Sequence, residues 1–197
     1  MRLGVIAACV VVSTAVVAQT PEGTRTRIRG TIETVDGQNL IVRTGASQSV
    51  TIEMTPNFGV SGVVKKDLTD IKPGDFVAST SVREADGTLR ALEVHFLRSG
   101  SSEGQFPYDL APNSLMTNAV VAGVTTAADG RMLRVTYKGS MANILVPTEA
   151  PVVAFVPGDP SLLRPGAAIM IFATRRSDGT VTATGATVEK DGVKPPM

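Results

Sequence analysis

One short pattern occurs twice in this chain, and it constrains the fold more than any other feature. Gly30-Thr-Ile-Glu-Thr-Val-Asp-Gly-Gln-Asn-Leu-Ile-Val42 aligns without a gap on Gly123-Val-Thr-Thr-Ala-Ala-Asp-Gly-Arg-Met-Leu-Arg-Val135. The correspondence resumes where Asp67-Leu-Thr-Asp-Ile-Lys-Pro-Gly74 meets Asp159-Pro-Ser-Leu-Leu-Arg-Pro-Gly166, and again where Asp86-Gly-Thr-Leu-Arg-Ala91 meets Asp178-Gly-Thr-Val-Thr-Ala183. A chain with such self-similarity is one small module written twice. What recurs is turn and core spacing, so the repeat constrains architecture and leaves activity open.

Each copy reads as β-strands. Ile28, Gly30 and Ile32 alternate with Arg27, Arg29, Thr31 and Glu33, the period-two pattern of a strand with one buried face. Asp36-Gly37 is a hairpin corner, residues 38–44 return, and 49–54 form a third strand. Residues 56–66, with Pro56 and two glycines, read as irregular. Pro73-Gly74 is a tight turn, and residues 75–84 and 89–97 make a second hairpin across Asp86-Gly87. The second copy yields strands at 118–127, 132–137, 142–146, 168–176 and 181–188. The expectation is an all-β chain of two tandem, small, five-stranded, OB-like antiparallel barrels. Repeat one would occupy residues 24–98, a linker 99–117, and repeat two 118–192.

The amino end reads as an export signal. Met1-Arg2 is a minimal positive region, Leu3 to Val17 is almost entirely apolar, and small residues precede Gln19, which places cleavage after residue 18. An uncleaved anchor is the alternative, but the apolar run is shorter than the roughly eighteen residues a spanning helix needs. The expected location is periplasmic or secreted, with no membrane span after cleavage. Cleavage would remove Cys9, the sole cysteine, so the mature chain would rest on its core rather than on disulfides. It would also remove Arg2, one of nineteen Lys plus Arg, leaving eighteen against eighteen Asp plus Glu. That balance argues against a nucleic-acid partner, and the stripe of Arg25, Arg27 and Arg29 has no interleaved aromatics to stack bases. The stripe reads instead as a solvated face.

The run Gly-x-Ile-x-x-Val-Asp-Gly-x-x-Leu-x-Val, then Asp-Leu-x-x-Ile-Lys-Pro-Gly-Asp-x-Val, then Asp-Gly-x-x-x-Ala-x-x-Val resembles an exported bacterial domain-of-unknown-function family, family 5666, with two copies present. The resemblance spans residues 29–94 and, more loosely, 122–188. Ala167 departs from it, standing where Asp75 supplies an acid in the first copy. The resemblance implies OB-like barrels and an exported location, and carries no catalytic residues or cofactor.

Chemistry is sparse. His95 is the only histidine, and no nucleophile sits in a recognisable elbow, so no catalytic residue is assigned and the expectation is a non-enzyme without a cofactor. Glu93 and His95 should point outward while Leu92, Val94 and Phe96 point inward, making His95 solvated or inter-barrel. In the linker, Phe106 and Tyr108 are too apolar for a free tether. They should pack on a barrel, and either the linker or the first barrel should cover the outward Val120, Ala122 and Val124. Phe106, Tyr108 and Asp109 are therefore the candidate ligand-binding residues of a non-catalytic envelope module, with an envelope protein, peptide or glycan as partner. The alternative is a soft-metal carrier for copper or silver, because thioether sulfur and imidazole suit Cu(I). Met54, His95 and Met116 are its candidate ligands. Met132 and Met170 read as core.

Overall fold

The computed structural model describes residues 23–45, 48–98 and 100–196. The expected export signal, with Cys9, lies outside them. Among the described residues the chain forms twelve strands and two single 3-10 turns. The strands are β1 (Thr24–Asp36), β2 (Asn39–Thr44), β3 (Ser49–Lys65), β4 (Phe76–Arg83), β5 (Leu89–Phe96), β6 (Gly104–Pro107), β7 (Leu115–Ala127), β8 (Gly130–Tyr137), β9 (Ser140–Val146), β10 (Val152–Pro157), β11 (Ala168–Arg175) and β12 (Val181–Val188). The all-β class and the closed five-stranded barrel are as the alternation predicts.

The partition of strands is not. One barrel closes in the order β1-β2-β3-β12-β11 and back to β1, the other in the order β7-β8-β9-β5-β4 and back to β7. Each barrel thus takes three strands from one repeat and the closing hairpin from the other. Residues 24–98 and 118–192 are sequence repeats but not separate folding units. The two cores confirm the exchange. Ile28, Leu40 and Ile52 pack with Ile169, Ile171 and Val188 in the first barrel, and Val77, Leu89 and Val94 pack with Val121, Leu133 and Ile144 in the second. Each barrel also contains one parallel joint, β3 with β12 and β5 with β9, so the ladders are not wholly antiparallel.

The cause lies in β3. It runs unbroken for 17 residues, and at roughly 3.3 Å per residue it carries the chain well past its own barrel before the turn at Leu68–Asp70. β4 then joins the second barrel. Pro56 does not interrupt the strand, because the ladder to β12 slips between Met54, opposite Ala183, and Gly59, opposite Gly185. Pro56 sits in that bulge, where no ladder donor is required. The close approach on its far side depends on glycine: a Cβ on Gly185 would lie 2.8 Å from the Gly59 carbonyl oxygen.

Past the bulge, β3 pairs with β10, and β10 lies parallel to β5, so both barrels belong to one continuous sheet. The repeats are related here by a pseudo-two-fold. Val60 opposes Ala186 as Val152 opposes Val94, a shift of 92 residues on both sides. On the first strand, however, the gapless alignment fails. Ile32 pairs with Val42, whereas Val121 pairs with Val135, so the second hairpin is four residues longer and Ile32 corresponds to Val121 rather than to Thr125. The same match is seen at the Pro-Gly turns: the Ile32 amide donates to Ala167 O at 2.9 Å, and the Val121 amide to Asp75 O at 2.8 Å. Because β7 bulges between Val121 and Gly123, Val124 turns back onto the core and Ala122 alone of the expected outer trio is exposed. Ala167, where the acid is missing, is buried in the first core, while Asp75 caps its turn by accepting from the Lys72 amide at 2.8 Å.

Candidate functional site

The linker does not cover the face at Val120. Its strand β6 extends the ladder of β7, Phe106 opposite Met116, and its next residues reach the other barrel. There the Tyr108 ring lies under both guanidinium groups of β1, 4.3 Å from Arg27 and 5.4 Å from Arg29. Asp109 accepts from Arg27 Nη1 at 2.7 Å and from Arg29 Nη2 at 2.8 Å. Arg27 and Arg29 therefore form a clamp rather than a solvated face, while Arg25 of the same stripe is exposed. The hydrogen bond from Arg29, opposed by partial burial and helped by Arg27, holds the Asp109 carboxyl down at about 2. Burial raises the Tyr108 hydroxyl above its ordinary value, against the pull of the two arginines. Of the three linker candidates, Asp109 is engaged structurally, Tyr108 is shared between clamp and cavity, and Phe106 remains exposed.

Where the two barrels meet beside β10, the surface opens into a cavity of about 280 Å³. The second barrel contributes His95 and Met116 to its wall, the first contributes Arg27, Met170, Phe172 and Thr187, the linker contributes Phe106 and Tyr108, and Phe155 of β10 stands between them. The pseudo-two-fold runs through this cavity, for Thr187 occupies in one barrel the position of His95 in the other. Arg27 and Phe172, opposed on β1 and β11, match Met116 and Thr80 on β7 and β4.

His95 is an inter-barrel residue. Strand β5 slips against β4 between Thr80, opposite Glu93, and Ser81, opposite Ala91. The extra residue sets Val94 into the core and leaves Glu93 and His95 on the outer side, as the sequence predicts, but there they are covered and buried. The His95 ring tilts against Phe155 with centroids 5.2 Å apart. Its Nδ1 hydrogen-bonds Glu93 Oε2 at 2.8 Å, and Glu93 Oε1 accepts from the Thr80 amide at 2.9 Å and the Thr80 hydroxyl at 2.6 Å. Ser79 adds a bond to the Glu93 carbonyl at 3.0 Å.

A fully buried carboxylate is costly unless each oxygen is satisfied. Here each is. The first barrel has nothing comparable, because Ile171, Phe172, Ala173 and Gly185 stand where Ser79, Thr80, Ser81 and Glu93 stand in the second. The buried polar network is thus confined to one side of a near-symmetric body.

The expected metal ligands do not all meet. His95 and Met116 line the cavity, but Met54 is sealed in the core of the first barrel. Met170, which reads as core in the sequence, is buried as expected, but it packs outside the two barrel cores and borders the cavity. On β11 the inward residues are Ile169 and Ile171, so alternation alone places Met170 and Phe172 on the other face, a signal available before any coordinates. Among the described residues no three His, Cys, Asp or Glu side chains gather as a metal cluster, and no helix is long and apolar enough to cross a membrane. Compared with known proteins, the chain matches no family model, no curated protein and no solved structure, which leaves the chemistry of the cleft to speak for its function.

Proposed function

We propose that this chain is an exported, non-catalytic binding module, and that it takes an envelope peptide, protein segment or glycan into the cleft between its barrels. The carrying observation is the rim. Phe172 is 63% exposed and Phe106 41% exposed, two of the three large apolar side chains left in water among the described residues, and both line the same cavity. Aromatic faces beside a half-enclosed cavity with a few fixed polar groups are the usual constitution of a recognition site. Asn118, Thr187 and Arg27 supply those polar groups.

The geometry at His95 favours binding over turnover. Thr80 Oγ1 donates to Glu93 and is held there at 2.6 Å, the reverse of a hydroxyl activated by imidazole. The export part of the proposal rests on the apolar run Leu3 to Val17.

The test is a peptide and glycan array read with the purified chain and with Phe172→Ser, whose melting temperature should be unchanged because the side chain is exposed. Saturable binding to one ligand class, weakened tenfold or more by the substitution, supports the proposal. Binding that ignores Phe172, or none at all, overturns it.

A further inference from the structure

We propose that the floor of the same cleft is a site for a soft monovalent cation, Cu(I) or Ag(I), coordinated by His95 Nε2 and the thioether sulfurs of Met116 and Met170. The three side chains come from β5, β7 and β11, 4%, 4% and 2% exposed, and all border one cavity of about 280 Å³. The set is two thioethers and an imidazole, which selects soft, low-valent metal over calcium, magnesium or zinc.

The surroundings complete the site. A metal-binding imidazole is normally oriented by an outer carboxylate on its other nitrogen, and Glu93 Oε2 stands 2.8 Å from His95 Nδ1. That carboxylate is itself pinned through Thr80, and the Thr80 hydroxyl lies 3.9 Å from Met116 Sδ, so one residue fixes both the histidine's partner and the neighbourhood of a sulfur. Three neutral ligands leave a bound monovalent ion with one positive charge, and the buried Glu93 carboxylate offsets it. The other charge on the cavity wall, Arg27, is drawn to Asp109 at 2.7 Å. Without a metal, the second barrel bears the desolvation of Glu93 for a histidine that anchors nothing. With one, the network has a purpose.

The site does not depend on peptide or glycan binding at the rim, and the experiment keeps the two apart. Ag(I), which resists oxidation, is titrated into the purified chain while the His95 ring and methionine methyl signals are followed by NMR. One saturating equivalent should shift His95 and the Met116 and Met170 methyls together, leaving Met54 in place. Met116→Leu and Met170→Leu, which nearly preserve volume, should each weaken binding tenfold or more, whereas Phe172→Ser should leave it intact. No saturable shift in the unsubstituted chain overturns the proposal whether or not the variants fold. So does binding that moves only the exposed Met141.

Discussion

Val63 and Phe155 face each other across the β3–β10 ladder, and each is the other's counterpart in the repeat. The pairs on either side reflect through them, Val153 with Lys65 and Pro157 with Ser61, so the pseudo-two-fold passes between these two residues. Phe155 also packs on His95. The symmetry axis and the candidate site therefore share a side chain.

Because β10 pairs with β3 of the first barrel and with β5 of the second, the two barrels share one sheet and should unfold together. Chemical denaturation followed by Tyr fluorescence and by far-UV circular dichroism should give one coincident transition. A protease site inserted at residues 100–102 tests the exchange itself. The cut halves should migrate together as one species without denaturant and separate only when unfolded. Halves that part under native conditions would mean that each repeat closes on itself.

Removing the buried carboxylate should be expensive. Glu93→Ala leaves the Thr80 amide and His95 Nδ1 without partners and should cost about 3 kcal/mol in an equilibrium melt. Glu93→Gln keeps an acceptor for Thr80 and should cost about 1 kcal/mol. Equal costs for the two would show that the network contributes packing only.

Acid should loosen the linker clamp. Asp109 is held at about 2 against an ordinary 3.8, a lowered value, so its contribution is complete above roughly pH 4 and fades as the pH falls toward 2. Asp109 is half exposed and screened by water, so the loss should stay below about 1 kcal/mol. Thermal melts should separate the native chain from Asp109→Asn at pH 5 and bring the two together as the pH falls to 2.5, with no pH step in the variant from this source.

Gly185→Ala should force β12 away from the Gly59 carbonyl and destabilise the protein by about 1–3 kcal/mol, read from the denaturation midpoint. Gly87→Ala is the contrast: its added methyl meets nothing within 4 Å, and any cost arises from the positive φ of 88° alone.

Much of the β-structure was legible because alternation and Asp-Gly corners are local signals. Gly37, Gly87, Gly130 and Gly179 all adopt positive φ at the hairpin ends they were expected to mark. Strand exchange was not legible, since two similar repeats offer equally suitable partners and periodicity does not say which copy a strand will join. Pro56 and its glycines concealed the length of β3, because a bulge tolerates what a regular ladder does not. The site was half legible. His95, Met116, Phe106 and Tyr108 do meet in one cavity, but Met54 faces the inside of the first barrel whereas Met170 stands on that barrel's outer face, a distinction that alternation along β11 carries.

The difference between Gly185 and its repeat counterpart Glu93 has a consequence for recognition. Two identical chains wound together would present matching walls on either side of the axis, and a guest lying across it could bind equally well in either direction. Joining the copies end to end lifts that degeneracy: one wall offers an imidazole and a thioether, the other a thioether, a hydroxyl and a guanidinium. A guest with unlike ends would therefore meet different partners in its two orientations.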